Sequence, residues 1–113
     1  MSADQPPQRC ALIRQQGVPA GYLQSGEAGK WRFSYLESYR GLPVSLTMPV
    51  RRDPYEFAAF PPVFEGVLPE GSQLEAILRR HKIDRYDLFR LLMIVGRDLV
   101  GSLTAEEAPP PGA

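Results

Sequence analysis

The stretch that decides the fold runs from Phe60 to Gly101, and its two ends are its most distinctive parts. One end reads Phe60-Pro61-Pro62-Val63-Phe64-Glu65-Gly66-Val67-Leu68-Pro69-Glu70-Gly71, and the other Gly96-Arg97-Asp98-Leu99-Val100-Gly101-Ser102-Leu103. Between them, Ser72 with Glu75 three residues later predicts a capping box, and Leu74, Ile77 and Leu78 form one apolar helix face. Ile83 leads into Asp84, a second N-cap candidate, with Asp87 adding negative charge in the first turn. Leu88, Leu91, Leu92 and Val95 then recur at helical spacing until Gly96 supplies a stop. Val63–Leu68 predicts one helical turn before Pro69, and Val100–Thr104 a last strand returning to a sheet.

The N-terminal half supplies the strands. Cys10–Gln15 and Val18–Leu23 flank Gln16-Gly17 as a hairpin, with Pro19 suited to an edge or a strand start. After a glycine-rich turn at Ser25–Gly29, Trp31-Arg32-Phe33-Ser34-Tyr35 alternates ring and polar residue, which puts three rings on one face of a half-buried strand. Val44–Met48 alternates again and predicts a fourth strand, closed by Pro49. Arg51–Tyr55 reads as a turn, and Glu56–Phe60 as the start of a short helix that Pro61-Pro62 interrupts. The expected fold is α+β: a small antiparallel sheet from the N-terminal half packed against two or three short helices. The expected boundaries are a flexible N-terminus at 1–9, one domain at 10–104 and a proline-rich tail at 105–113.

Composition narrows the function classes. The 113 residues suffice for one domain with a modest core, and 43% hydrophobic with 23% charged residues is ordinary globular usage. Thirteen basic residues balance thirteen acidic ones, which argues against direct nucleic-acid binding, because that affinity rests on neutralising phosphates. Arg51-Arg52 and Arg79-Arg80-His81-Lys82 read as solvated edges and a helix C-terminus. The lone Cys10 permits no internal disulfide and fits a reducing, cytoplasmic setting. The polar start lacks the apolar core of a signal peptide, and Leu91–Val95 is far too short to span a membrane.

A search for chemistry returns little. His81 sits among cations at a helix end, and Asp53, Glu65, Glu70, Asp84, Asp87 and Asp98 form no pattern that converges on a substrate. Phosphate-binding loops and kinase catalytic motifs are absent. The expectation is a chain that catalyses nothing and needs no cofactor or metal. Gly66 and Gly71 flank Leu68-Pro69-Glu70 as turn-permitting residues, with Glu70 near a helix start. Gly96, Arg97 and Asp98 read as a structural turn with a local ion pair. Trp31 reads either as sheet core or as an interface anchor.

The spaced series "FEGVLPEG", "PVSLTMPV" and "GRDLVGSL", with the hairpin around Gly21, resembles the small N-terminal subdomain of HipA-type toxin kinases. Family members run close to "FFxNLLPEG" followed by "GRDxxGAL", and the resemblance spans Ala11–Ala105. In that family the subdomain precedes a larger kinase body, which has no counterpart in these 113 residues. A separate subdomain of this kind is similar to the HipS component of tripartite HipBST toxin–antitoxin systems. The resemblance implies an antitoxin that binds a HipT-like Ser/Thr kinase toxin and suppresses it, beside a HipB-like helix-turn-helix protein in a larger complex. Kinases of this group phosphorylate aminoacyl-tRNA synthetases. On this reading Val63-Phe64-Glu65-Gly66 is the candidate wedge against the kinase, with Trp31 as a second contact, although Phe64 reads equally well as core. The alternative is an accessory subunit that completes the kinase or supports the repressor complex on DNA.

Overall fold

Three rings on one strand face demand a cover, and the helical half supplies it. The structure is a computed structural model that describes residues 9–97, 99 and 102–111. Strands β1 (Cys10–Gln15), β2 (Val18–Ser25), β3 (Trp31–Tyr35), β4 (Tyr55–Phe57) and β5 (Leu103–Glu107) form one sheet in the order β4-β3-β2-β1-β5. Every neighbouring pair is antiparallel. Helices α1 (Pro62–Glu65), α2 (Gly71–His81) and α3 (Leu88–Val95) follow the fourth strand. The α+β arrangement expected from the sequence is thus the one observed.

The β1–β2 hairpin turns through Gln16 (φ 53°) and Gly17 (φ 80°), the positive pair that matches the twist of a two-residue hairpin. Residue pairing slips between Ile13 and Arg14, leaving Ala20 as the extra residue of a bulge. Gly21 is dictated by the neighbouring strand: a Cβ there would lie 2.4 Å from the Ser34 carbonyl oxygen and 2.7 Å from the Phe33 ring. The ring therefore packs directly on the β2 backbone. Ala11, Ile13, Leu23, Phe33, Leu92 and Phe64 are nearly or fully buried between sheet and helices.

The fourth strand is not where alternation predicts it. Val44–Met48 forms bends and turns, and the edge strand is Tyr55–Phe57, within segments read from sequence as a turn and a helix start. Val44 and Met48 are buried, but Leu46 between them is 97% exposed. The backbone here finds partners on a side chain instead of a neighbouring strand. The Tyr35 hydroxyl accepts from the Val44 N–H at 2.9 Å and donates to the Met48 carbonyl. Tyr39 donates to the Leu42 carbonyl, and Tyr55 to that of Pro49 at 2.6 Å. Pro43 and Pro49 lack the N–H groups that a ladder at both ends of this stretch would use.

Helix starts also differ from expectation. The cap of α2 is Glu70, in extended conformation and without a side-chain cap bond, so Ser72 lies inside the helix and the capping box does not form. Asp84 turns its own loop by accepting from the Tyr86 N–H at 2.8 Å. Asp87 is the cap of α3 and accepts from the Arg90 N–H at 3.2 Å. Arg9 binds the same carboxylate twice, at 2.6 and 3.1 Å. Its backbone also pairs with Ser25, so Arg9, the last residue of the expected flexible segment, is tied to both the sheet and α3. At the other end β5 runs to Glu107, and Ala108 still donates to the Cys10 carbonyl at 3.0 Å. The expected boundary at 104 therefore falls inside the strand. The expected Arg97–Asp98 pair lies outside the described residues.

Gly96 ends α3 with ordinary helical angles, φ −56° and ψ −27°. What requires a glycine is the strand beside it. Its carbonyl accepts from the Ala105 N–H at 2.9 Å, and a Cβ would stand 2.1 Å from the Ala105 carbonyl oxygen. Gly96→Ala should therefore cost about 1–3 kcal/mol by overpacking, read as a lower urea midpoint with an unchanged slope. The Asp87 carboxyl is held below its ordinary range, chiefly by the hydrogen bond from Arg9. A depressed carboxylate contributes stability above its unfolded value of about 3.9, and loses it as pH falls through the folded value. Asp87→Ala should cost about 1 kcal/mol at neutral pH. The gap to wild type should narrow as urea titrations are repeated below about pH 4.

Candidate functional site

The residues singled out from sequence do not converge on one surface. Phe64 is buried on α1, 1% exposed, with its ring 5.6 Å from that of Phe33. Of the two readings the sequence left open for this ring, the structure has it in the core. The reason is local: Pro61 and Pro62 start the short helix, and one helical turn brings Phe64 back under the sheet while Glu65 faces solvent. Val63 is half-buried against the core. Gly66 closes the turn by donating to the Pro62 carbonyl at 2.9 Å. Leu68 is buried, Pro69 half-buried, Glu70 exposed as the cap of α2, and Gly71 opens that helix at φ 62°.

Trp31 lies at the other end of the aromatic row. It stacks on Phe89 of α3 at 5.5 Å and meets Phe60 edge-on at 5.1 Å. It stays half-buried, and the exposed part borders a cleft of about 390 Å³ beside Glu27 and Lys30. Trp31 is thus a packing residue with one accessible flank. Of the remaining motif residues, Gly96 sits against β5, Arg97 is exposed, and Asp98 lies outside the described residues.

One surface cleft was not anticipated from the sequence. The loop from Leu36 to Pro54 folds back so that Tyr39, Val50, Arg51 and Arg52 border a cleft of about 950 Å³. Tyr22 and Ser34, from the sheet face opposite the helices, and Pro111 from the tail complete its walls. Burial raises the hydroxyl pKa of both Tyr35 and Tyr39, which keeps each an uncharged donor to the loop carbonyls. A signal was present in the Arg51-Arg52 pair, but only the return of the loop brings it beside Arg40. Among the described residues, no helix is long and apolar enough to cross a membrane, and no His, Cys, Asp and Glu group could hold a metal.

Comparison with known proteins agrees with this geometry. The family model described as the HipA N-terminal domain matches residues 11–106, from β1 into β5. A solved structure, the N-terminal domain of HipA toxin, superposes with a TM-score of 0.71 at 25% identity, covering 93% of this chain and 97% of that one. An uncharacterized protein of Haemophilus influenzae is 31% identical over 87 residues, which is 77% of this chain and 81% of that protein. "Putative kinase Y4dM" of Sinorhizobium fredii is 30% identical over 114 residues, covering 87% of this chain but 28% of the kinase. The aligned segment thus spans a little over a quarter of that relative, and nearly all of the HipA toxin's N-terminal domain. The chain belongs to the HipA N-terminal domain family.

Proposed function

We propose that this protein binds a HipT-like Ser/Thr kinase toxin and inhibits it, as the antitoxin of a tripartite system. The observation that carries the reading is the end-to-end match to the N-terminal domain of HipA toxin. Family membership supports a role in HipA-type kinase toxin systems, and the Haemophilus influenzae relative, 81% of which aligns with this domain, supports a reading in which such a domain acts in trans. Such a domain would dock on a kinase where HipA carries its own copy. Phosphoryl transfer depends on positioning nucleotide and metal between two lobes, so a ligand that prefers a displaced arrangement inhibits without touching the reacting atoms. Moving a kinase from 1% to 99% inactive requires roughly a ten-thousand-fold preference for the inactive state. The chain itself acts as a binding module without catalysis, in the cytoplasm, beside a HipB-like repressor.

One observation favours a second reading. In the Sinorhizobium fredii relative the matching segment is part of a much longer protein named as a kinase. A domain that belongs to a kinase can complete it, and then the small protein would raise activity.

The test is co-expression with the neighbouring kinase, scoring growth, co-purification and phosphorylation by the purified complex. Restored growth with co-purification and lower kinase activity is the expected result. Raised activity would select the accessory-subunit reading, and failure to associate would remove both. Phe64→Ala should cost about 3–5 kcal/mol of stability, so any loss of rescue should follow loss of folded protein in circular dichroism. Trp31→Ala should also cost stability, because its ring packs on Phe60 and Phe89; compared at equal amounts of folded protein, it should weaken rescue through loss of the flank that meets the kinase. Equal rescue by wild type and Trp31→Ala would exclude that contact.

A further inference from the structure

Among the described residues, the arginines whose side chains are hydrogen-bonded fall into two groups by what holds them. Arg9, Arg14, Arg32 and Arg85 are paired with carboxylates of Asp87, Glu106, Glu56 and Glu75 at 2.6–3.0 Å. The arginines of the large cleft are held differently. Arg40 donates to the backbone carbonyls of Glu37 and Tyr39 at 2.9 and 3.0 Å. Arg51 donates to those of Asp53 and Pro54 at 3.0 and 3.2 Å, and its guanidinium lies 3.6 Å from the centre of the Tyr55 ring. Neutral acceptors orient these groups without cancelling their charge. Arg52, exposed between Arg51 and Asp53, adds a third guanidinium to the lining, where Glu37 is the one carboxylate among the described residues.

Position and charge therefore coincide. The walls offer the half-buried Tyr22 and the side chain of Val50, which is 38% exposed, above the buried Tyr39. The chain as a whole is neutral, so this local excess of positive charge is an arrangement of the fold and not a consequence of composition. Pre-oriented guanidinium groups bind carboxylates with two parallel hydrogen bonds, and lose little side-chain freedom in doing so. Apolar walls beside them suit the aliphatic or aromatic residues that flank such carboxylates in a peptide.

We propose that the cleft bordered by Arg40, Arg51 and Arg52 is the docking site for an acidic peptide segment of the partner kinase. The inference rests on the kinase-binding reading above and adds to it the contact surface and the chemistry of what it receives. Binding is electrostatically steered, so it weakens as salt rises. The surface is distinct from Trp31 and α1, to which the motifs had pointed.

The experiment combines two measurements on the full chain. Amide resonances are followed during titration with a hexaglutamate peptide, and with a single-stranded oligonucleotide of equal charge. The kinase is then captured from co-expression with wild type, Arg52→Glu and Arg40→Glu, after thermal melts have shown that each variant is folded. Arg52 is exposed and makes no cap or core contact among the described residues, so Arg52→Glu preserves the melt even if Arg40→Glu does not. The expected result is that the peptide shifts residues 36–54 and Tyr22, and that Arg52→Glu weakens both peptide and kinase binding about tenfold, the scale of one charge-assisted hydrogen bond. Shifts confined to Arg79–Lys82, or preference for the oligonucleotide, would overturn the assignment. Kinase capture equal for wild type and Arg52→Glu would overturn the cleft while leaving the kinase-binding reading intact. Loss of capture by wild type itself would reject that reading and this one together.

Discussion

The rest of the structure depends on the aromatic row of β3. Period-two alternation sends the rings of Trp31, Phe33 and Tyr35 to one face, and each ring meets a different segment of the chain. Trp31 is met by Phe60 and Phe89, Phe33 by Phe64 and the Gly21 backbone, and Tyr35 by Tyr39 and Tyr55. One five-residue strand therefore gathers α1, α3, the β2 backbone and the loop before β4 into a single core. Burial of large rings, with edge-on and stacked contacts adding to the area term, is a strong stabilising term in so small a domain.

Closure of the sheet depends on a contact far away in sequence. β5 pairs with β1 and also lies against the end of α3, where the lack of a side chain lets the Ala105 backbone come within hydrogen-bonding distance of the Gly96 carbonyl. The helices and the last strand are in this way one unit. Arg9 closes the same unit at its other end. It bridges the start of β1 to Asp87 at the cap of α3, with its guanidinium 5.5 Å from the Phe89 ring.

The Leu36–Pro54 loop is built on a different principle. It has no ladder of its own, and three tyrosine hydroxyls take the place of one by bonding to the carbonyls of Met48, Leu42 and Pro49. Gln15 adds a fourth pin, donating to the Pro43 carbonyl at 2.9 Å from an otherwise apolar face. A loop fixed by side chains can carry exposed apolar and cationic groups without collapsing onto the sheet. That is how Leu46 stands almost fully exposed on the same loop whose arginines border the cleft.

Patterns that depend on near neighbours were legible in the sequence. The hairpin at Gln16-Gly17, the ring-bearing face of β3, the apolar stripes of α2 and α3 and the α+β class all follow from periodicity and turn chemistry, which act over a few residues. The spaced motifs at both ends of Phe60–Gly101 were legible as a family likeness, and the match over residues 11–106 agrees. Other features were decided only by tertiary structure. Val44–Met48 alternates like a strand, yet its N–H and C=O groups reach Tyr35 first. Ser72 has the spacing of a cap, yet α2 is capped two residues earlier, at Glu70. Phe64 had two equal readings until α1 turned it under Phe33. Arg40 and Arg51-Arg52 became one cleft only when the loop returned. In each case the deciding partner lies outside the local window, and local sequence constrains what a residue can do but not which distant group arrives to pair with it.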